Sequence, residues 1–141
     1  MASKSGLIQF PLRSLVETLS IRDPEIFDRL DRTEAKEFDE LGLGAIAFQP
    51  SGNVERFNAI EARRSGLRAA DVIGKNFFSE VAPCTNNSII GDRFLKDDIL
   101  DAELEYVFTY RLIPTKVRLR LLKRPSSPLM YMLVRIAARD G

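Results

Sequence analysis

Histidine and tryptophan are absent from this 141-residue sequence, and cysteine occurs once. Without histidine the chain lacks the commonest general base and the commonest metal ligand. A Ser-His-Asp triad, a Cys-His dyad and an ordinary zinc site are therefore excluded within it. A single cysteine also excludes an intramolecular disulfide. The sequence indicates a protein of the reducing cytoplasm that is not an enzyme.

Long apolar runs and an excess of one charge are missing as well. No run of about 18 apolar residues occurs, so we expect no membrane span, and residues 1–9 do not resemble a secretory signal. Lysine and arginine number 21 against 20 acidic residues, which gives no general reason to bind nucleic acid or an anionic membrane. The basic stripe of Lys116, Arg118 and Arg120 is expected to be a solvated outer face of a sheet.

What is present suits one domain with a packed core, since 45% of the residues are hydrophobic. Helical spacing of apolar residues predicts helices, and alternation predicts strands. The predicted helices lie at 12–19, 24–41, 59–67, 69–73 and 89–100. The predicted strands lie at 44–48, 54–58, 104–112, 117–121 and 129–136. Asp23 and Pro24 form the start signal of the second helix.

Strands at both ends of this order, with helices between them, indicate an α+β domain with a five-stranded antiparallel sheet. The intervening helices are expected to cover one face of the sheet and to leave a pocket against it. Residues 1–40 are expected to form an N-terminal helical cap on the domain of residues 41–141. The cap is either a packing element or a signalling and dimerisation element.

The first candidate for chemistry is Cys84, which lies between Pro83 and a polar segment, residues 85–88. Asn86 and Asn87 can cap a following helix, and a helix N-terminus favours the thiolate of a nearby cysteine. A thiolate is the form that attaches an electrophilic acyl group. The other interpretation is that this lone cysteine is a small buried hydrophobe.

The second candidate is Glu61, which follows the strand predicted at 54–58. A carboxyl group at this position can face the pocket. If it is buried without a cation, it stays protonated and acts as a hydrogen-bond donor. The alternative is a solvated carboxylate on the surface of a helix.

Several segments resemble the photoactive yellow protein family, namely 44–46, 52–61, 72–85, 104–110 and 114–117. The segment 72–85 is similar to the family's chromophore-cysteine motif almost residue for residue. The resemblance covers residues 41–136. It implies a PAS fold and a blue-light photoreceptor with a p-coumaroyl chromophore, held as a thioester on Cys84. It also implies that Glu61 hydrogen-bonds the phenolate and gives it a proton after light isomerises the chromophore. An unidentified downstream signalling protein would receive the signal, and the N-terminal helices can form a homodimer.

Further pocket residues follow from the resemblance. They are Ile46, Phe57, Ser65, Leu67, Phe77, Val81, Ala82, Pro83, Thr85, Phe108, Tyr110 and Leu112. Three of them depart from the family pattern. Phe57 replaces a tyrosine that donates to the phenolate, Leu67 replaces an arginine over the chromophore, and Leu112 replaces a methionine. The alternative function is a PAS module that binds another ligand or a partner protein, with light sensing altered or lost.

Overall fold

An antiparallel sheet organises the part of the chain that the structure, a computed structural model, describes, namely residues 21–109 and 114–136. Its five strands stand in the order β2-β1-β5-β4-β3. They are β1 (Gly44–Phe48), β2 (Val54–Phe57), β3 (Leu100–Phe108), β4 (Thr115–Lys123) and β5 (Met130–Ile136). The number of strands, their order along the chain and the α+β class are thereby confirmed, although β3 begins at Leu100 and not at the predicted Leu104. Because β5 is the central strand, residues 130–136 lie between the β1–β2 pair and the β3–β4 pair.

Helices cover both faces of this sheet. The inner face carries α3 (Ala59–Ser65), α4 (Ala69–Val72) and α5 (Gly91–Lys96), with a π-helical turn over Phe77–Val81 and a 3-10 turn over Pro83–Thr85. The outer face carries α1 (Ile26–Arg32) and α2 (Ala35–Asp39). These two helices are the described part of the predicted cap. The helix predicted at 12–19 lies outside the described residues.

Strand β1 lies between the two cores, and it presents large side chains to one and small side chains to the other. Ile46 and Phe48 point into the inner core, while Ala45 and Ala47 belong to the outer core under the cap. The Phe48 ring centroid lies 5.1 Å from that of Phe77 and 5.4 Å from that of Phe94. The inner core is therefore built on aromatic rings, and the outer core lies against small side chains.

The prediction of a helix over 89–100 is wrong at its end. Helix α5 stops at Lys96, and Leu100 already pairs with Lys123 at the start of the β3–β4 ladder. Residues 100–103 pair with β4 at every position, and this tertiary pairing overrides their local helical pattern. The predicted start of α1 is also displaced. The helix begins at Ile26, and Asp23 Oδ1 accepts a hydrogen bond from the Glu25 amide at 2.8 Å.

The basic stripe of β4 is not simply solvated. Arg120 is only 7% exposed. It forms two hydrogen bonds of 2.9 Å with Asp101, and it donates to the carbonyl oxygens of Ile21 at 3.1 Å and Asp23 at 2.5 Å. Arg118 pairs with acidic side chains of β3. Arg120 therefore fastens the start of the described part of the cap to the sheet, and the prediction of plain solvation is wrong for this residue.

Tyr131, in β5, is buried under the cap, and its hydroxyl donates to Asp31 Oδ1 at 2.8 Å. Burial raises the pKa of Tyr131, and the hydrogen bond to Asp31 acts in the same direction. The pKa of the folded state thus lies above the unfolded value of about 10. The associated stability is complete below about pH 10 and is lost as the pH rises further.

Tyr131→Phe should lower the free energy of unfolding at neutral pH by about 1 kcal/mol, since it leaves Asp31 without this hydrogen bond. It should also remove part of the alkaline loss of stability, because phenylalanine cannot ionise. Denaturant unfolding at neutral and alkaline pH measures both effects. If the free energy of unfolding falls with alkaline pH as steeply in the variant as in the wild type, this account is contradicted.

Candidate functional site

Cys84 lies in the 3-10 turn as a half-buried free thiol at the edge of the inner core. Its carbonyl oxygen accepts hydrogen bonds from the Tyr106 hydroxyl at 2.6 Å and from Asn87 Nδ2 at 3.0 Å. Asn87 Nδ2 also lies 2.6 Å from the Tyr106 hydroxyl oxygen. This triangle ties the backbone of the cysteine turn to strand β3, so the position of the thiol is set by the sheet.

The prediction that Asn86 and Asn87 cap the following helix is wrong, since its N-cap residue is Ile90 and no side chain caps it. The next α-helix begins only at Gly91, and Asn87 Oδ1 instead accepts from the amides of Ile89 and Ile90 at 3.0 Å. A Cβ atom at Gly91 would lie 2.9 Å from the Thr85 carbonyl oxygen. Glycine there lets α5 approach the turn that carries the cysteine.

Glu61 lies in the first turn of α3, and its side chain is completely buried. The interpretation as a solvated helix carboxylate is therefore wrong. The carboxylate lies against β1, because a Cβ atom at Gly44 would overlap Glu61 Oε1. The same Cβ would lie 3.2 Å from the Val134 carbonyl oxygen. Glycine at this position provides the space that the carboxylate fills.

A cation accompanies this buried carboxylate. Arg64 Nε donates to Glu61 Oε1 at 3.1 Å, Arg64 Nη2 is hydrogen-bonded to Glu61 Oε2, and the arginine side chain is only 9% exposed. The condition of burial without a cation is thus not met. Leu67, at the position of the family's arginine, packs against the inner core. Sequence reasoning missed Arg64, although the spacing of three residues puts it on the same helix face as Glu61.

Asn58 connects this helix to the cap. It is completely buried and its four hydrogen bonds use the whole amide group. Oδ1 accepts from the amides of Ala45 at 3.0 Å and Glu61 at 3.1 Å. Nδ2 donates to the carbonyl oxygens of Phe38 at 3.1 Å and Leu43 at 2.9 Å. One side chain therefore links the backbone of Glu61 to the last helix of the cap.

Two aromatic rings of β3 join the cysteine end of the site to the carboxylate end. The Arg64 guanidinium carbon lies 5.2 Å from the centroid of the Phe108 ring. The Phe108 centroid is 5.9 Å from that of Tyr106, whose hydroxyl contacts the Cys84 carbonyl. The structure thus brings the two candidate residues to opposite ends of one aromatic pair.

The remaining predicted pocket residues mostly line the same inner core. Those buried in it are Ile46, Phe57, Phe77, Ala82 and Phe108, and Val81 packs against it half-buried. Ser65 and Thr85 are buried polar residues. Ser65 Oγ accepts from the Leu67 amide at 3.1 Å, and Thr85 Oγ1 donates to the Ala82 carbonyl at 2.7 Å. Pro83 is exposed. Tyr110 and Leu112 lie outside the described residues.

Phe57 also lines a surface cavity of about 470 Å³ between α2, β2, α3 and α4. Phe57 also belongs to the inner core. Within residues 21–109 and 114–136, no cluster of side chains is suited to hold a metal ion. No helix in these ranges has both the length and the apolar composition to cross a bilayer.

Two photoactive yellow proteins are similar in sequence to this chain. That of Rhodothalassium salexigens is 41% identical over 88 residues, which cover 60% of this chain and 70% of that protein. That of Halochromatium salexigens is 38% identical over 103 residues, which cover 70% of this chain and 82% of that protein. No protein-family model matches the chain.

Solved structures agree with the sequence comparisons. The photoactive yellow protein domain of the sensor histidine kinase Ppr from Rhodospirillum centenum is 37% identical. It has a TM-score of 0.70 and covers 77% of this chain and 97% of that domain. The PAS domain of an HTR-like protein from Haloarcula marismortui is 14% identical. It has a TM-score of 0.59 over 80% of this chain and 93% of that domain. The second similarity shows the fold alone, and together they confirm the predicted PAS fold.

Proposed function

Because this chain belongs to the photoactive yellow protein family, whose members are sensory PAS domains and not enzymes, we propose that it is a blue-light photoreceptor. Its chromophore is a p-coumaroyl group held as a thioester on the sulfur of Cys84. When bound, this group supplies the absorption of light and an isomerisation about its double bond. The thioester forms when the cysteine sulfur displaces the leaving group of an activated p-coumaric acid.

The described residues suit such a group. One observation carries the proposal, namely the run of contacts from Cys84 through Tyr106 and Phe108 to Arg64 and Glu61. An acyl group attached at the thiol can lie along the two rings and bring its phenol oxygen to the buried carboxylate. The surrounding inner core is apolar and aromatic, which fits the body of the chromophore.

Glu61 is then the residue that would hydrogen-bond the phenol oxygen and give it a proton. It is completely buried, so a change in its charge is costly and has to be relieved by rearrangement. Asn58 offers a route for that rearrangement, since it bonds both the Glu61 amide and the Phe38 carbonyl in the cap. The signal reaches the cap, which acts on an unidentified cytoplasmic partner or forms a homodimer.

Attachment at Cys84 can be tested by incubating the apoprotein with an activated ester of p-coumaric acid. The wild type should gain the mass of one p-coumaroyl group and a long-wavelength absorption band, because Cys84 is the one thiol in the sequence. Cys84→Ala should gain neither, while its far-ultraviolet circular dichroism stays that of the wild type. Intact mass and absorption spectra measure these results.

A relocated thiol provides the matched control. Cys84→Ala combined with Ser88→Cys puts the one thiol at an exposed position four residues away. This variant should gain the acyl mass but should absorb like a p-coumaroyl thioester in water, because no pocket surrounds it. If the wild type folds but its spectrum after labelling matches that of the control, the chromophore pocket is refuted.

The second candidate function is a PAS module that binds a different ligand or a partner protein. Phe57 favours it, since a buried phenyl ring at this position has no hydroxyl to donate to a phenolate. A folded apoprotein that fails to acquire chromophore in the attachment experiment supports this candidate.

A further inference from the structure

The surface cavity between α2, β2, α3 and α4 has no part in the proposed function. We infer that it is a second binding site, which takes a small organic carboxylate. The apolar body of this ligand lies against Phe38, Phe57 and Ile73, and its carboxylate is bound by the guanidinium of Arg56. Such a site is independent of the chromophore, which the proposed function places at Cys84.

The size and the lining of the cavity suit a small organic molecule. Its volume of about 470 Å³ lies within the range of about 300–1,000 Å³ that is typical of ligand sites. Seven of the ten residues that line it are alanine, isoleucine or phenylalanine. Four of these are alanines, which stand on all three helices around the cavity. Their short side chains leave the volume open, while two buried phenylalanines provide apolar surface for the body of a ligand.

Arg56 of β2 brings a cation to the wall of the cavity. The residue is half-buried, and its guanidinium carbon lies 5.5 Å from the centroid of the Phe38 ring, which also lines the cavity. Within residues 21–109 and 114–136 Arg56 forms no ion pair, and its hydrogen bond runs from Nη1 to the Thr33 carbonyl at 2.7 Å. Nε and Nη2 are left as open donors, since neither is among the fully buried side-chain atoms of these ranges that lack a partner.

Two acidic residues, Asp39 and Glu55, also line the cavity, but both are exposed, so that water solvates their charge. Each also accepts a hydrogen bond. Asp39 Oδ1 accepts from the Ala59 amide at 3.1 Å, and Glu55 Oε1 accepts from Gln49 Nε2 at 2.7 Å. A half-buried cation gains more from a counter-ion than an exposed carboxylate does, because less water surrounds it. The charge of Arg56 therefore determines the charge of the ligand, which is an anion.

The two open nitrogens form one edge of the guanidinium fork, and this geometry selects a carboxylate. Arginine binds a carboxylate through two parallel hydrogen bonds from such an edge. Arg120 uses the same edge within this protein, because its Nε and Nη2 bond the two oxygens of Asp101 at 2.9 Å each. A ligand carboxylate binds Arg56 in the way that Asp101 binds Arg120, while the rest of the ligand fills the apolar cavity.

Binding of 3-phenylpropionate, a small acid with an aromatic body, tests this site. The wild type should bind it at one site. It should bind the neutral 3-phenylpropionamide about 10- to 100-fold more weakly, because the amide keeps the shape but loses the charged hydrogen bonds. 3-Phenylpropylamine, which brings a cation, should also bind more weakly than the acid. Isothermal titration calorimetry measures the affinities, and the backbone amide shifts in NMR spectra should be largest in residues 35–39, 55–59 and 69–73.

Three variants separate the charge of Arg56 from the shape of the cavity. Arg56→Gln should lower the affinity for the acid about 10- to 100-fold, to that of the amide. Arg63→Gln removes the same charge from an exposed position of α3 and should leave both affinities unchanged. Ala35→Leu fills part of the cavity from an exposed position of α2 and should weaken the acid and the amide alike. If Arg56→Gln does not fold, the ratio of acid to amide affinity in the wild type and the effect of Ala35→Leu decide.

Three results would overturn the site. Equal affinities for the acid and the amide, or tighter binding of the amine, would show that Arg56 does not select the ligand. Amide shifts centred on residues 77–85 would place the probe in the inner core. The absence of saturable binding would leave the cavity without a carboxylate ligand. All of these results are obtained on the apoprotein, so attachment at Cys84 is tested separately.

Discussion

Asn58→Ala should lower the free energy of unfolding by about 3–5 kcal/mol, because each buried polar group left without a partner costs about 1–3 kcal/mol. Four backbone groups lose their partner in this variant, namely the amides of Ala45 and Glu61 and the carbonyls of Phe38 and Leu43. Water that enters the space compensates part of the loss. Equilibrium unfolding in denaturant measures the change.

Two further variants serve as controls, one at an exposed asparagine and one that keeps only the acceptor oxygen of Asn58. Asn86→Ala removes the same group from an exposed position and should change stability by less than about 0.5 kcal/mol. Asn58→Asp keeps the acceptor for Ala45 and Glu61 but loses the donor to Phe38 and Leu43. It should therefore loosen the cap, which hydrogen exchange over residues 35–43 would show. A loss below about 1 kcal/mol in Asn58→Ala would mean that water replaces the amide fully.

Arg120→Met should cost about 2–4 kcal/mol, since breaking a buried charged hydrogen-bond network is among the larger single-site effects. Methionine retains most of the apolar stem but removes the donor to the carbonyl of Ile21, while the carbonyl of Asp23 keeps its hydrogen bond from the Ile26 amide at 3.2 Å. Asp101, which is 57% exposed at its side chain, can return to water and adds little to the cost. Unfolding free energies and amide exchange of residues 21–32 would measure the effect.

Arg118→Met is the matched control on the same strand. Arg118 pairs with Glu103 and Glu105, which are partly exposed. Such pairs are worth about 0–1 kcal/mol. The control should leave the exchange of residues 21–32 unchanged. Equal effects of the two substitutions would show that the stripe acts through its general charge and not through the bonds from Arg120 to the cap.

Period-2 alternation was sufficient to predict the second half of β3. Leu104, Tyr106 and Phe108 share its inner face because alternate side chains of a strand point the same way. The first half could not be predicted, since residues 100–103 become a strand through pairing with β4, which lies far along the chain. Local pattern and tertiary pairing conflict there, and the pairing determines the structure.

The candidate site shows the same limit. The family motif was enough to single out Cys84 and Glu61, and burial of Glu61 agrees with its expected place in a pocket. The pairing of Glu61 with Arg64 was missed, because it arises only when helix α3 turns both side chains inward. The anchoring of the cysteine turn by Tyr106 joins residues 22 positions apart. Such a contact cannot be predicted from the secondary-structure propensities of single residues.

The difference in side-chain size across β1 has an evolutionary consequence. Ala45 and Ala47 face the cap, while Ile46 and Phe48 face the inner core. A larger residue at Ala47 would lift the helices away from the sheet without altering any side chain on the opposite face. Descendants of this protein can therefore change how firmly the outer helices rest on the sheet while they keep the side chains of the inner core.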